Sequence, residues 1–163
     1  MKSIFLLILV GIVSCSSTTP VTPHREAHLD SPFASSVEGV SLSNFHLVAQ
    51  KKGRLYRGMR PRSLEEVELL RSQVALTDVI IFREASKDVG IEEERSWLKT
   101  AGLKDENILY IPFKWKDVSE FKTPCLQTLA ALKKINDDLN TKDKSVFVHC
   151  TVGEDRTGYL MGL

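Results

Sequence analysis

The chain has 163 residues, of which 42% are hydrophobic and 26% are charged, and its formal net charge is +1. This length and apolar fraction suit one domain of ordinary size with its own hydrophobic core. A nearly neutral chain has no global field that attracts nucleic acid, so we expect no nucleic-acid partner and look for local electrostatic recognition instead.

The N-terminus resembles a bacterial export signal. A charged start, Met1-Lys2, precedes an apolar run over residues 4–13, which is shorter than the roughly twenty residues that a membrane-spanning helix needs. Residues 12–15 are similar to the lipobox of bacterial lipoproteins, in which the cysteine is lipid-modified after cleavage. We therefore predict a lipoprotein signal peptide over residues 1–14 and an exported protein anchored by Cys15 in the cell envelope, on the outer membrane or facing the periplasm. Secretion without a lipid is the alternative.

Residues 15–42 predict a flexible tether between this anchor and the domain. The segment is rich in Ser, Thr and Pro and lacks a sustained apolar period. We place the folded domain at residues 43–163.

The domain is predicted to begin with two short strands and a capped helix. Residues 45–50 and 55–59 have strand patterns on either side of a turn at residues 51–54. Ser63, with Glu66 three residues later, has the pattern of a helix N-terminus.

Strand and helix then alternate. The apolar residues 76–82 predict a strand that is covered on both faces, and residues 108–111 predict another buried strand. Between them, residues 91–100 predict a helix with Ile91, Arg95 and Leu98 on one face. The alternation predicts an α/β fold with a central, mostly parallel sheet flanked by helices, in which ligands bind at the carboxyl ends of the strands.

The clearest predicted helix covers residues 124–139, with Cys125, Leu129, Leu132, Ile135 and Leu139 on one stripe. On this pattern Cys125 is a core residue. The alternative is a resolving thiol that forms a disulfide with Cys150.

The last predicted strand, residues 146–148, leads into the sequence HCTVGEDRTG at residues 149–158. If residues 151–155 form a loop and a helix begins at Arg156, backbone N–H groups converge on the loop centre and favour an anion. Gly153 permits backbone conformations that other residues avoid. The planar guanidinium of Arg156 can bind two phosphate oxygens, and the same donors favour the thiolate of Cys150. The pattern therefore indicates an activated nucleophile inside an anion-binding loop.

His149, Cys150, Arg156 and Thr157 match HC-x5-R-[ST], so the chain resembles the cysteine-dependent protein tyrosine and dual-specificity phosphatase superfamily. The loop is similar to the bacterial branch that reads HCxAGKDRTG, with Glu154 in place of the lysine. Residues 54–58 are similar to the "lyRs" segment of that branch. The resemblance extends over residues 45–163 and implies a dual-specificity-phosphatase-like fold.

The resemblance implies a two-step reaction, in which Cys150 forms a phosphocysteine that water then hydrolyses. Arg156 and the loop amides hold the phosphoryl oxygens, Thr157 assists departure of the thiolate, and His149 braces the loop. The substrate-binding residues of the loop are then His149, Thr151, Val152, Gly153 and Glu154.

Two aspartates are candidates for the general acid. Asp117 lies in Trp115-Lys116-Asp117, 33 residues before Cys150, a separation similar to that of the family's acid loop, although Lys116 replaces its usual proline. Asp155 is the alternative, because some members of the DRTG branch use an aspartate within the phosphate loop. Reach to the leaving oxygen decides between them.

A basic segment suggests the substrate class. Six lysines and arginines occur between residues 51 and 62 without an acid among them, and Lys114 and Lys116 flank the acid loop. A solvated surface is the usual meaning of such a run. Together with export, it favours a bacterial, phytase-like enzyme acting on a phosphorylated inositol or phosphoinositide, bound in part by Arg57, Lys114 and Lys116. A protein tyrosine phosphatase is the alternative.

An inactive or truncated, lipid-tethered phospholigand-binding module is the alternative from another class. The chain stops at Leu163, whereas relatives carry further helices after the loop, so we expect a C-terminally incomplete domain. No cofactor or metal is expected, because His, Cys and carboxylates do not cluster at ligand spacing.

Overall fold

The structure, a computed structural model, describes residues 35–84, 90–113 and 122–163. These ranges contain five strands and four α-helices. In chain order they are β1 (His46–Gln50), β2 (Arg54–Met59), α1 (Leu64–Val74), β3 (Asp78–Phe82), α2 (Ile91–Thr100), β4 (Ile108–Ile111), α3 (Lys122–Leu139), β5 (Ser145–Cys150) and α4 (Asp155–Met161). None of the helices in these ranges is long and apolar enough to cross a membrane.

The five strands form one sheet in the order β1-β2-β5-β3-β4. β1 and β2 are an antiparallel hairpin, and the other three pairings are parallel. The predicted α/β fold with a mostly parallel sheet is confirmed. β5 lies at the centre, so its carboxyl end is flanked on both sides by neighbouring strands.

Two hydrophobic clusters cover the two faces of the sheet. On one face, Phe147 of β5 packs with residues of α1 and α2. On the other face, Val146 and Val148 pack with residues of α3 and α4. Successive strand residues point to opposite faces, so a strand covered on both sides needs a continuous apolar run. This is the physical reason for the runs that predicted β3 and β5.

The start of α1 follows its sequence signature with one difference. The Ser63 hydroxyl accepts a hydrogen bond from the backbone N–H of Glu66 at 3.3 Å. The Glu66 carboxylate accepts from the backbone N–H of Arg62 at 2.6 Å rather than from that of Ser63. Two N–H groups near the helix start are thereby satisfied.

Residues 35–42 differ from the expected tether, because they pack on the domain. Val40 and Leu42 are buried in the cluster with α1, and the backbone N–H of Ser36 donates to the carbonyl of Phe45 at 2.9 Å. Their few apolar side chains suffice to bury a short segment that lacks a regular period. Residues 1–34, including Cys15, lie outside the described ranges.

The prediction that Cys125 is a core residue is wrong, because its side chain is exposed and forms no disulfide. Leu129 on the same predicted stripe is also exposed. The face of α3 that meets the sheet is rotated from this stripe and includes two polar residues, Thr128 and Asp138. A stripe chosen by hydrophobicity alone leaves such residues out.

Candidate active site

The nucleophile predicted from the sequence lies at the carboxyl end of the central strand. Cys150 is the last residue of β5, is 3% exposed, and pairs in register with Met59 of β2. Every residue of β5 is buried. The fold therefore places the thiol at a rigid, covered strand end, where parallel sheets bind ligands.

The loop after β5 requires glycine at position 153. Gly153 has a φ of +78°, a region that L-residues with side chains rarely adopt. A β-carbon there would lie 2.6 Å from the backbone nitrogen of Met59 and closer still to the carbonyl of Gly58. The loop therefore packs directly against the β2 backbone.

Two side chains from the β1–β2 region orient the loop backbone. Nδ2 of Asn44 donates to the carbonyl of Val152 at 2.9 Å and to Oε1 of Glu154 at 3.1 Å. Nη2 of Arg57 donates to the carbonyl of Gly153 at 2.6 Å. The C=O and N–H of a trans peptide point in opposite directions. The N–H groups of Gly153 and Glu154 consequently point away from these two side chains.

The sequence analysis did not identify Asn44 as a residue that holds the loop. It is 5% exposed and adopts a left-handed φ of +56°, which asparagine tolerates better than most residues. The only local signal was an asparagine just before a predicted strand. Its partner Val152 lies 108 residues away in the chain, so local patterns do not reveal the contact.

α4 begins at Asp155, one residue earlier than predicted. Asp155 is exposed, Arg156 is half-buried and Thr157 is fully buried. The Thr157 hydroxyl has no hydrogen-bond partner within the described part of the chain. The structure thus brings Cys150, Asp155, Arg156 and Thr157 together around one loop, as their spacing predicted.

Three buried polar side chains form a chain of contacts that begins at His149, the residue before Cys150. Nε2 of His149 lies 2.7 Å from Oε1 of Glu94, and Oε2 of Glu94 lies 2.7 Å from Nη1 of Arg83. All three side chains are at most 1% exposed. Nδ1 of His149 also lies 3.1 Å from the carbonyl oxygen of Cys150. The ring stacks on Phe147 with centroids 5.1 Å apart.

The prediction that Arg95 lies on the inner face of α2 is wrong, since Glu94 occupies that face. The Arg95 side chain is 30% exposed and pairs with Glu92 at 3.5 Å. Glu94 lies three residues after Ile91 and four before Leu98, so its spacing was a usable signal. The prediction named Arg95 for its helical spacing. A carboxylate is rarely buried without a partner, and the partners of Glu94 come from β5 and the end of β3.

The basic segment does not gather at one place. Lys51 and Lys52 lie in the turn before β2, and Arg54 at the start of β2 donates to the carbonyl of Val74 at 3.1 Å. These three residues occupy the amino edge of the sheet, opposite Cys150. Arg57 lies further along β2 and contacts the loop backbone. The run therefore does not form one basic surface, because it follows β2 from the amino edge of the sheet towards the carboxyl edge.

The predicted residues Lys114, Lys116 and Asp117 lie outside the described ranges. Beside the loop, a cavity of about 400 Å³ is lined by Asn44, His46, Arg57 and Glu154. It offers hydrogen-bond donors and one carboxylate. In the described ranges, no three His, Cys, Asp or Glu side chains form a group that could hold a metal ion.

Comparison with protein families matches residues 45–163 to the family described as "Tyrosine phosphatase family". This range contains the sheet and the loop with Cys150 and Arg156. Among curated proteins, none matches the chain significantly.

Several solved structures share the fold. The core catalytic domain of the PP-IP phosphatase SIW14 from S. cerevisiae, in complex with citrate, is 22% identical with a TM-score of 0.55, over 74% of this chain and 64% of that chain. A second Siw14 catalytic core is 22% identical with a TM-score of 0.54, over 73% of this chain and 63% of that one. The PTP-2 phosphatase of Cydia pomonella is 17% identical with a TM-score of 0.53, over 69% and 63%. This chain thus spans less than two thirds of each of these structures.

Proposed function

Because this chain belongs to the tyrosine phosphatase family, we propose that it is a cysteine-dependent phosphomonoester hydrolase of dual-specificity type with a phosphocysteine intermediate. One observation carries the proposal. Cys150 ends the buried central strand, and the loop that follows has carbonyls held outward by Asn44 and Arg57. Arg156 stands in the first turn of the helix that closes the loop.

In the proposed first step, Sγ of Cys150 attacks phosphorus in line, an S–P bond forms, and the bond to the leaving oxygen breaks. Arg156 and the loop N–H groups stabilise the charge on the three other oxygens. Water then attacks phosphorus and the S–P bond breaks, which releases inorganic phosphate. The buried hydroxyl of Thr157 assists departure of the thiolate.

The leaving oxygen takes its proton from Asp117 or from Asp155. We favour Asp117, because its separation from Cys150 resembles that of the family's acid loop. Asp155 is exposed on the first turn of α4, so it remains the alternative. Turnover of two aryl phosphates distinguishes the two aspartates. p-Nitrophenolate is a good leaving group that needs little protonation, whereas phenolate must be protonated as it departs. The acid is the aspartate whose change to Asn lowers turnover of phenyl phosphate far more than that of p-nitrophenyl phosphate.

We propose a phosphorylated inositol or phosphoinositide as the substrate class. The similar S. cerevisiae structure is that of a PP-IP phosphatase. Protein phosphotyrosine is the second candidate, supported by the family's description and by the similar PTP-2 phosphatase.

Phosphate release from inositol hexakisphosphate and from a phosphotyrosine peptide, measured side by side, tests this order. We expect higher kcat/KM for the inositol phosphate, and a clear preference for the peptide would reverse it. Cys150→Ser should lose turnover and keep ligand binding. Cys125→Ser, which changes an exposed cysteine, is the matched control and should keep both. Binding without turnover in the unmodified protein would indicate a phospholigand-binding module instead.

We further propose that the protein is exported and anchored by a lipid on Cys15. The support is the sequence pattern of residues 1–15. Labelling with radioactive palmitate in a bacterial host tests the anchor. Unmodified protein should take up label and fractionate with membranes, and Cys15→Ser should do neither. Label on Cys15→Ser would contradict the assignment.

A further inference from the structure

Three peptide groups of the loop have carbonyls that accept hydrogen bonds from side chains. Asn44 holds the Val152–Gly153 peptide and Arg57 holds the Gly153–Glu154 peptide, both from the β1–β2 side. The Cys150–Thr151 peptide differs, because its carbonyl faces a ring nitrogen of His149, a residue within the same strand. The position of this first peptide therefore depends on what holds His149.

Both ring nitrogens of His149 face oxygen atoms that accept hydrogen bonds. Nδ1 lies 3.1 Å from the carbonyl oxygen of Cys150, and Nε2 lies 2.7 Å from Oε1 of Glu94. The contact between Nε2 and Oε1 does not have the geometry of a regular hydrogen bond, and within the described ranges neither Nε2 nor Oε1 has a hydrogen-bond partner. A carbonyl oxygen and a carboxylate oxygen only accept hydrogen bonds, so a hydrogen on each ring nitrogen is the arrangement that keeps lone pairs from facing each other at these distances. The ring of His149 therefore lies between the backbone of the loop and the carboxylate of Glu94.

Arg83 keeps Glu94 in the form that this arrangement needs. Its guanidinium cannot lose its proton in a protein, and it lies 2.7 Å from the second carboxylate oxygen. A charge this deeply buried persists only with a partner of opposite sign. Arg83 leaves β3 at its carboxyl end and Glu94 belongs to α2, so the chain of contacts ties α2 to the phosphate loop through β5.

We propose that Glu94 is a positioning residue for the phosphate loop: held by Arg83, it keeps both nitrogens of His149 protonated and so turns the N–H of Thr151 into the loop. The N–H of Thr151 belongs to the same peptide as the carbonyl of Cys150. A carbonyl that points toward His149 sends this N–H the opposite way. This inference rests on the proposed function of the loop, and it adds a residue outside the HC-x5-R signature.

The change Glu94→Gln tests the proposal, because it preserves the shape of the side chain and removes its ability to accept hydrogen bonds on both terminal atoms. A carboxylate accepts on both oxygens, whereas an amide accepts on one and donates from the other. A glutamine that still accepts from Arg83 presents its NH₂ group to Nε2 of His149. The ring then loses a proton from Nε2 and becomes neutral. Glu93→Gln on the same turn of α2 is the matched control, because Glu93 is exposed.

Two measurements are made on the full chain. Titration with inorganic phosphate measures the affinity of the loop for phosphate. ¹⁵N NMR of labelled histidine measures ring protonation, and the signal that is missing in His149→Asn is assigned to His149. For unmodified protein and Glu93→Gln we expect phosphate binding and two protonated ring nitrogens. For Glu94→Gln we expect weaker phosphate binding by about tenfold or more, the loss expected when one charge-assisted hydrogen bond is misaligned. One of its ring nitrogens should be unprotonated, a change that a merely structural role would not produce.

Phosphate affinity of the double variant shows whether Glu94 acts through His149. In a His149→Asn background, adding Glu94→Gln should change phosphate affinity by less than about twofold, because coupled residues are not additive. Independent, multiplying losses would overturn the proposal, as would an unprotonated ring nitrogen in the unmodified protein. If Glu94→Gln does not fold, Glu94→Asp keeps charge and both acceptors with a shorter reach. It should then show two protonated nitrogens and an intermediate phosphate affinity, and unchanged affinity would contradict the proposal.

Failure of the proposed function gives a different result. If the protein binds phosphate without turnover, it is not an enzyme, but the effect of Glu94 on phosphate affinity can still be measured by titration. If the protein binds no phosphate, the loop is not a phosphate-binding loop. The NMR measurement of ring protonation still tests whether Glu94 acts on His149.

Discussion

Two buried carboxylates, one near each edge of the parallel sheet, have different kinds of partner. Glu94, near the carboxyl edge, contacts Arg83 and His149, whose side chains are as buried as its own. Asp78, at the amino edge, is also fully buried, but its partners Lys134 and Lys144 are 23% and 29% exposed. The partners of the first carboxylate are shielded from water, whereas the partners of the second are cations that reach water.

The pKa of Asp78 shows that its contacts at the amino edge stabilise the charged carboxylate. Burial alone would raise the pKa of its carboxyl group, but hydrogen bonds from Lys134, Lys144, Asn107 and Thr77 outweigh burial and lower the pKa to about 2. These partners join β3 to α3 and to the segment before β5. Asp78 at the amino edge thus holds elements of the fold together, whereas Glu94 at the carboxyl edge organises the proposed site.

The largest expected effect is a loss of turnover when the loop can no longer pack against β2. Gly153→Ala forces a β-carbon into the backbone of β2 at a positive φ. We expect turnover of p-nitrophenyl phosphate to fall on the order of 10²–10³-fold, the loss typical of a displaced oxyanion donor. Gly162→Ala, where the added carbon meets nothing closer than 3.5 Å, is the control and should keep turnover. Near-normal turnover in Gly153→Ala would show that the loop does not need this close approach.

Asp78→Asn should have the opposite profile, with reduced stability and normal chemistry. Removing the charge leaves the Lys144 ammonium group facing an amide, while Lys134 keeps Asp138 as a carboxylate partner. We expect the free energy of unfolding to fall by about 3 kcal/mol. Urea denaturation measures this, and kcat of the folded fraction should be unchanged. Asp137→Asn removes an exposed partner of Lys133 on the same helix and should leave stability near normal. Equal losses in the two variants would remove the distinction.

Acid should weaken the amino edge in a defined window. The folded pKa of Asp78, about 2, lies below its ordinary value of 3.8, so the folded state binds fewer protons than the unfolded state. Its contribution is complete above about pH 4 and is lost as pH falls toward 2. The stability gap between unmodified protein and Asp78→Asn should shrink by about 2 kcal/mol between pH 6 and pH 2. A gap independent of pH would contradict the role of this charge.

The smallest expected effect concerns the outer support of the loop. Asn44→Gly keeps the left-handed backbone and removes the hydrogen bonds to Val152 and Glu154. We expect about 1 kcal/mol lower affinity for inorganic phosphate. Asn44→Ala loses the same bonds and adds backbone strain, so its thermal midpoint should lie below that of Asn44→Gly. Equal midpoints would mean that the left-handed backbone imposes no strain.

Most of the secondary structure was predictable from the sequence. The bounds of α2 and β4 agree with the predicted ranges, and β5 exceeds its predicted strand by one residue at its start and two at its end. These elements have strong local signals, namely continuous apolar runs and a glycine at a helix end. The predictions for Cys125 and Arg95 failed for a shared reason, since both assumed that a helix turns only apolar or ambivalent residues toward the sheet. α2 and α3 instead turn Glu94 and Asp138 inward.

By itself, the sequence determined the order of strands and helices and the spacing of Cys150, Arg156 and Thr157 around one loop, because these depend on residues that are neighbours along the chain. Only the tertiary structure decided which charges lie inside and what orients the loop. Glu94 is buried because Arg83 and His149 arrive from other elements, and Asn44 reaches Val152 across 108 residues. A polar side chain can be buried only where a partner satisfies it, and such partners meet only once the chain has folded.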